Sequence, residues 1–105
     1  MDDLFSTTRL HIDRDGLAIL CRHHHVRSLR LFGSALRDDF NAQSDVDLLV
    51  EFDPGHIPGF LHLHTIAEEL SMCFDGRHVD LVTIRALTPR LREQILSGAE
   101  VLFAA

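Results

Sequence analysis

The stretch GSALRDDFNAQSDVDLLV, residues 33–50, decides both the fold of this chain and the chemistry that it can support. Its second half places Asp45 and Asp47 two positions apart at the start of an apolar run that is typical of a strand. Because alternate residues of a strand point to the same face, we expect the two carboxylates to lie roughly 6–7 Å apart on one side of a sheet. Carboxylates so placed can bind a hard cation such as Mg²⁺, which prefers carboxylate and phosphate oxygens.

The first half of the same stretch predicts a phosphate-binding turn. Gly33 and Ser34 follow the mainly apolar run at residues 29–32 and open a short segment that can begin a helix. A glycine lets the backbone approach a phosphate closely, and the free N–H groups at a helix start attract anions. Ser34 could also serve only as the N-cap of that helix. A phosphate-binding turn beside cation-binding acids is the combination that phosphoryl or nucleotidyl transfer requires.

A third acid, Asp80, lies in the apolar stretch VDLV, residues 79–82. An unpaired carboxylate is costly to bury in such a strand. We therefore expect Asp80 to join Asp45 and Asp47 as a third metal ligand and to act as the general base. The simpler interpretation of Asp45 and Asp47 is that they are solvated residues at a strand start, and the upstream glycine–serine turn argues against it.

The remaining sequence predicts an α/β fold in which helices pack around a small mixed β-sheet in the order αβαβαβα. Residues 1–11 show no period and predict a loose lead-in, and residues 100–103 read as a short apolar tail. Asp13 is in the N-cap position of the first helix. The predicted helices span residues 14–25, 35–40, 60–74 and 90–96, and the predicted strands span residues 27–32, 45–52 and 78–84.

Histidines occur in the run His23-His24-His25 and again at His62 and His64. Consecutive helical residues point about 100° apart, so the run cannot converge on one metal ion. We interpret the run as the polar end of the first helix, where a cationic histidine is favoured. His25 then takes the position that glycine fills best after a helix.

The composition restricts the class of protein. A chain of 105 residues forms one domain and has no room for a second. The net charge of −6 argues against general nucleic-acid binding, which needs a basic surface. No apolar run approaches the roughly 20 residues of a membrane span, and the N-terminus lacks a signal pattern. Cys21 and Cys73 lie outside any C-x-x-C pair, which predicts buried thiols in a reducing cytoplasm.

The spacing Gly-Ser-x10-Asp-x-Asp, which begins at Gly33, resembles the signature of the polymerase-β-like nucleotidyltransferases. The flanking residues resemble the smallest branch of that superfamily, the minimal nucleotidyltransferases, and the resemblance covers roughly residues 10–100. It implies the nucleotidyltransferase fold, ATP as the substrate and two Mg²⁺ ions as cofactors. Many relatives follow the arginine of the turn with glycine, whereas this chain has Asp38, whose charge would weaken nucleotide binding.

The resemblance also assigns roles to individual residues of this sequence. The equivalent of Asp80 in the superfamily deprotonates the attacking hydroxyl or completes the metal site. Arg37 resembles a phosphate-contacting arginine, although an exposed salt bridge to its acidic neighbours is an alternative. The implied nucleotide-binding residues are Gly33, Ser34 and Arg37, and the implied metal ligands and catalytic residues are Asp45, Asp47 and Asp80.

Minimal nucleotidyltransferases are often antitoxins whose partner is a small helical HEPN-domain ribonuclease. The resemblance therefore implies transfer of AMP to a hydroxyl side chain of a HEPN toxin, typically a tyrosine, within a hetero-oligomer. This chain contains no tyrosine, which excludes tyrosyl self-modification. Two alternatives are a non-catalytic nucleotide-binding module that masks the partner by contact and a transferase that acts on a small molecule. The lack of room for an acceptor domain argues against the second, and the presence of all three acids argues against the first.

Overall fold

The computed structural model describes residues 10–36, 40–41 and 43–105, apart from the Ser34 side chain. Within these residues, a four-stranded mixed sheet is combined with three α-helices, which confirms the predicted α/β fold. The helices are α1, Arg14–His23, α2, Phe60–Ser71, and α3, Pro89–Gly98. The strands are β1, Val26–Phe32, β2, Val46–Phe52, β3, Val79–Thr83, and β4, Glu100–Ala104.

The topology of the sheet brings three chain segments together at one end. The strand order is β3-β2-β1-β4, with β1 antiparallel to both of its neighbours and β2 parallel to β3. The end of β1 therefore meets the beginnings of β2 and β3. The register places Phe32 opposite Asp47, and Asp47 in turn beside Asp80. The two halves of the motif at residues 33–50 thus lie at the same end of the sheet.

The fourth strand was not predicted, because residues 100–103 read as a tail. In the structure β4 pairs with β1, placing Phe103 opposite Leu29 and Ala104 opposite Ser28. The register shifts between Leu29 and Arg30, so the strand has no clean alternation that a sequence pattern could reveal. Leu102 and Phe103 pack against the core, as expected for a segment that closes it.

Most of the other element boundaries differ from the prediction by one to three residues, and at two places the kind of structure differs. A 3₁₀ turn, Gly33–Leu36, occupies the start of the short helix predicted at residues 35–40, and Phe40 is not helical. The rest of that predicted helix, residues 37–39, lies outside the described residues. The third strand ends at Thr83 rather than at Ile84, which begins a second 3₁₀ turn.

The core lies between one face of the sheet and helices α1 and α2. Leu17 and Cys21 of α1 and Ile66 and Leu70 of α2 are buried together with the inward side chains of β1 and β2. Leu10 is also buried, so the loose lead-in predicted up to residue 11 is too long; residues 1–9 lie outside the described part of the chain.

The two cysteines are buried free thiols, as predicted. Removal from water raises the pKa of the Cys21 thiol to about 12, with a further contribution from the nearby Cys73, and burial raises the pKa of Cys73 as well. Since only the thiolate is an effective nucleophile, neither cysteine is suited to catalysis.

The histidine run does more than terminate α1. The ring of His24 is buried, and its Nε2 lies 2.6 Å from Oε1 of Glu69, which joins α1 to α2. His25 follows the helix with a left-handed φ of +59°, and its ring stacks at 3.8 Å on that of His56. Among the described residues, no three histidine, cysteine or acidic side chains form a ready-made metal-binding group.

Replacing His25 by glycine is expected to stabilise the fold by about 0.5–1 kcal/mol, because the left-handed conformation is strained for a residue with a Cβ and natural for glycine after a helix. Urea denaturation measures the change. Asp75 is a matched control, since it has the same φ of +59° and an aspartate tolerates this conformation better, so Asp75→Gly should gain less. A loss of stability in His25→Gly would show that stacking on His56 outweighs the backbone strain.

Candidate active site

Asp47 and Asp80 are neighbours on parallel strands. They occupy the same register position of β2 and β3, and adjacent strands lie about 4.8 Å apart. The Asp47 side chain is half-buried, whereas Asp80 is exposed. The expectation that Asp80 is buried is therefore wrong: the position lies at the open end of an edge strand. The two carboxylates can still act on one ligand, since their strands hold them side by side.

Asp45 lies just before β2 and is exposed. Its Oδ1 is 3.5 Å from Nδ1 of His78, which just precedes β3, and the backbone N–H of Val46 donates to the carbonyl of His78 at 2.9 Å. His78 was not predicted to belong to the site. The sequence does contain a signal for this residue: His78 lies two positions before Asp80, which places both on one face of the same extended segment.

The structure shows why position 33 requires glycine. Its φ is +72°, and a Cβ at this position would lie 2.3 Å from Oδ2 and 3.0 Å from Cγ of Asp47. No side chain fits there while Asp47 keeps its place. The turn after β1 therefore approaches the acid on β2 as closely as a backbone can, which places main-chain groups beside the carboxylate.

The other two predicted nucleotide-binding residues are less fully described. The backbone of Ser34 lies in the 3₁₀ turn that starts at Gly33, and Ala35 anchors that turn in the core. The side chain of Ser34 and all of Arg37 lie outside the described residues. Their contacts with phosphate remain predictions.

The donor chemistry of the three acids fits Mg²⁺. Asp45, Asp47 and Asp80 offer only oxygen ligands at one end of the sheet, and the Gly33 backbone lies directly against the Asp47 carboxylate. The side chains do not form a closed protein cage in the described part of the chain. Mg²⁺ rarely needs one, because it usually completes its shell with water and substrate phosphates.

The sequence matches, over residues 17–105, the family model described as polymerase beta, nucleotidyltransferase. This chain belongs to that family. Two proteins of Methanocaldococcus jannaschii provisionally named protein adenylyltransferases are each 35% identical to it, one over 78 residues and the other over 88. The alignments cover 73% and 84% of this chain and 77% and 90% of those proteins. The prediction of a nucleotidyltransferase is thereby confirmed.

Solved structures agree with this assignment. A structure described provisionally as a minimal nucleotidyltransferase is 38% identical, with a TM-score of 0.65 over 84% of this chain and 85% of that one. A toxin–antitoxin crystal structure with AMP-PNP has a TM-score of 0.71 at 22% identity and covers 90% of this chain and 75% of that one. A tri-AMPylated Shewanella oneidensis HEPN toxin in complex with its MNT antitoxin has a TM-score of 0.62 at 22% identity, over 88% and 70%. The last two show a common fold.

Within the described residues, none of the helices combines the length and the apolar character that crossing a membrane would require.

Proposed function

We propose that this nucleotidyltransferase transfers AMP from ATP to a hydroxyl side chain of a partner protein and acts as the antitoxin of a HEPN toxin. The observation that carries the proposal is the packing of Gly33 against Asp47, with Asp80 beside it on the next strand. This arrangement puts a phosphate-approaching turn, a pair of cation-binding acids and a candidate base within one small region. The names of the M. jannaschii relatives support a protein as the acceptor.

In the proposed reaction, the triphosphate lies against Gly33 and Ser34, and Arg37 neutralises part of its charge. The acceptor hydroxyl oxygen forms a bond to the α-phosphorus while the bond from that phosphorus to the bridging oxygen breaks. Pyrophosphate leaves, and Asp80 takes the proton of the hydroxyl. Two Mg²⁺ ions held by Asp45, Asp47 and Asp80 would supply charge neutralisation at the phosphates.

The partner assignment rests on the structural neighbours and on the size of this domain. The neighbours include a toxin–antitoxin structure with AMP-PNP and a complex of an MNT antitoxin with a tri-AMPylated HEPN toxin. The described residues form one small domain around a single sheet, which favours an acceptor that provides its own docking surface. We accordingly propose a hetero-oligomer with the toxin. The buried free thiols and the need for ATP favour the cytoplasm as its location.

Intact-protein mass spectrometry tests the proposal. Incubated with ATP, Mg²⁺ and the proposed HEPN partner, this chain should add one or more AMP units to the partner and none to itself. The double variant Asp45→Asn/Asp47→Asn should leave the mass of the partner unchanged, even if the two proteins still co-purify.

The masking alternative predicts a different result in the same experiment. If the ribonuclease activity of the partner is fully blocked while its mass stays unchanged, contact alone silences it, and the enzymatic proposal fails. Modification of a small molecule such as an aminoglycoside, with no AMP on the partner, would instead support the small-molecule transferase.

A further inference from the structure

A groove runs along the outer edge of the sheet, between β3 and α2. It consists of two adjoining cavities of about 340 and 210 Å³. Both are lined by His64 and Ala67 of α2 and by His78 and Val79 from the β3 side. The lining runs from Phe60 to Ser71, the two ends of the 12-residue helix α2, so the groove is roughly 16–18 Å long. This length equals about five residues of extended chain. This is longer than a small acceptor molecule would need.

The groove borders the strand that carries one of the three acids, whose alternate residues Val79 and Leu81 face α2. Asp80 and Leu81 line its smaller cavity, which also reaches Phe60 at the start of α2. In the part of the chain that the structure describes, β3 pairs with β2 and lies at the edge of the sheet. An edge strand presents backbone N–H and C=O groups to which another extended segment can pair.

The positions of the site residues on successive strands determine the side from which an acceptor enters. Gly33, at the end of β1, lies against Asp47 on β2, and Asp80 lies one strand further out on β3. In an in-line displacement the attacking and leaving oxygens lie on opposite sides of the phosphorus. If pyrophosphate leaves beside Gly33, the hydroxyl must arrive from the side of β3, the outer strand that carries Asp80.

Phe60 is unusually exposed for a residue of an apolar helix stripe. The period of α2 predicts that it faces the core with Ile66 and Leu70, yet 82% of its surface is exposed. The core does not use this ring, although the ring lines the groove beside Asp80. Large exposed apolar side chains next to a site mark positions where a partner is bound.

We propose that the groove between α2 and β3 binds the acceptor, as an extended polypeptide segment of the partner protein that pairs with the outer edge of β3 and packs an apolar side chain on Phe60. This inference rests on the proposed function and adds to it the surface that holds the acceptor, because alternate side chains of a segment paired with β3 point to the groove and to the face of Asp80 in turn. The net charge of −6 favours a segment with basic residues.

Steady-state kinetics with the proposed HEPN partner as acceptor test the surface. Phe60→Ala should raise the KM for the partner roughly tenfold, the loss typical of removing an aromatic anchor from an interface, with a much smaller change in kcat. Leu61→Ala is the matched control. Leu61 is the next residue of the same helix, is 79% exposed, and does not line the groove, so this variant should behave as the wild type.

A cross-linking experiment gives a readout that does not depend on turnover. The photoreactive replacement Phe60→p-benzoylphenylalanine should cross-link to the same partner segment that carries AMP, and Leu61→p-benzoylphenylalanine should not. Equal KM values for Phe60→Ala and Leu61→Ala, or cross-links to a second copy or to residues 1–9 of this chain, would overturn the docking surface while leaving AMP transfer intact. If the wild-type chain adds no AMP to the partner, the proposed function fails first and the inference with it.

Discussion

Asp47→Asn is expected to abolish AMP transfer and to make the nucleotide-free protein more stable. Asp47 is the acid against which the Gly33 turn packs, and it lies beside Asp80 on the neighbouring strand. Losing its charge removes the proposed cation ligand, for which a fall in rate of about 10³-fold or more is the usual scale at phosphoryl-transfer sites. Like charges on adjacent strands repel, so removing one should stabilise the ligand-free fold by roughly 0.5–2 kcal/mol.

Glu51→Gln is the matched control for this variant. Glu51 lies four residues further along β2, so it points to the same face as Asp47 at a distance of about 13 Å. Its amide replacement can still accept the hydrogen bond from Ser28, so both transfer and stability should stay near the wild-type values. Thermal melting with and without Mg²⁺ and ATP completes the test. If Asp47→Asn melts lower than the wild type, and the wild type does not respond to Mg²⁺ with ATP, these acids do not form the site.

The parts of the site that could be predicted are those set by short-range patterns. Asp45 and Asp47 stand at the start of a strand whose alternation is visible in the sequence, and the glycine–serine turn follows another strand. Parallel pairing then brings Asp80 into register with Asp47, which a mixed sheet of this order allows. Even so, the predicted burial of Asp80 was wrong, because the exposure of a strand residue depends on whether its strand lies at the edge of the sheet.

The features that could not be predicted depend on contacts between distant segments. The C-terminal strand exists because β1 offers it an edge, and its register shift removes the alternation that would have revealed it. His24 looked like part of a polar helix end, yet it is buried by α2 and bonded to Glu69, 45 positions away. Phe60 fits the apolar period of its helix, but it is the first residue of α2 and 82% of its surface is exposed.

Gly33→Ala is expected to cost both stability and activity. The new methyl group would lie within 2.3 Å of Oδ2 and 3.2 Å of Cβ of Asp47, at a φ of +72° that disfavours alanine. The carboxylate can turn away, but its Cβ is fixed by β2, so relief requires movement of the turn as well. We expect a loss of about 2–4 kcal/mol from backbone strain and overpacking together. Because the displaced carboxylate is the proposed cation ligand, AMP transfer should fall by at least about 10²-fold.

Gly55→Ala separates these two contributions, because Gly55 has a similar φ of +83° and nothing lies within 4 Å of the position that its Cβ would take. This variant should lose only about 1 kcal/mol of stability, the cost of backbone strain at a positive φ, and it should keep its activity. Urea denaturation of both variants, with AMP transfer measured in parallel, gives the comparison. The part of the excess loss that comes from the carboxylate should disappear in the background Asp47→Ala, where only the 3.2 Å contact with the Cβ of residue 47 remains. An equal loss of stability in the two glycine variants would mean that the positive φ alone, and not the contact with Asp47, makes glycine necessary at position 33.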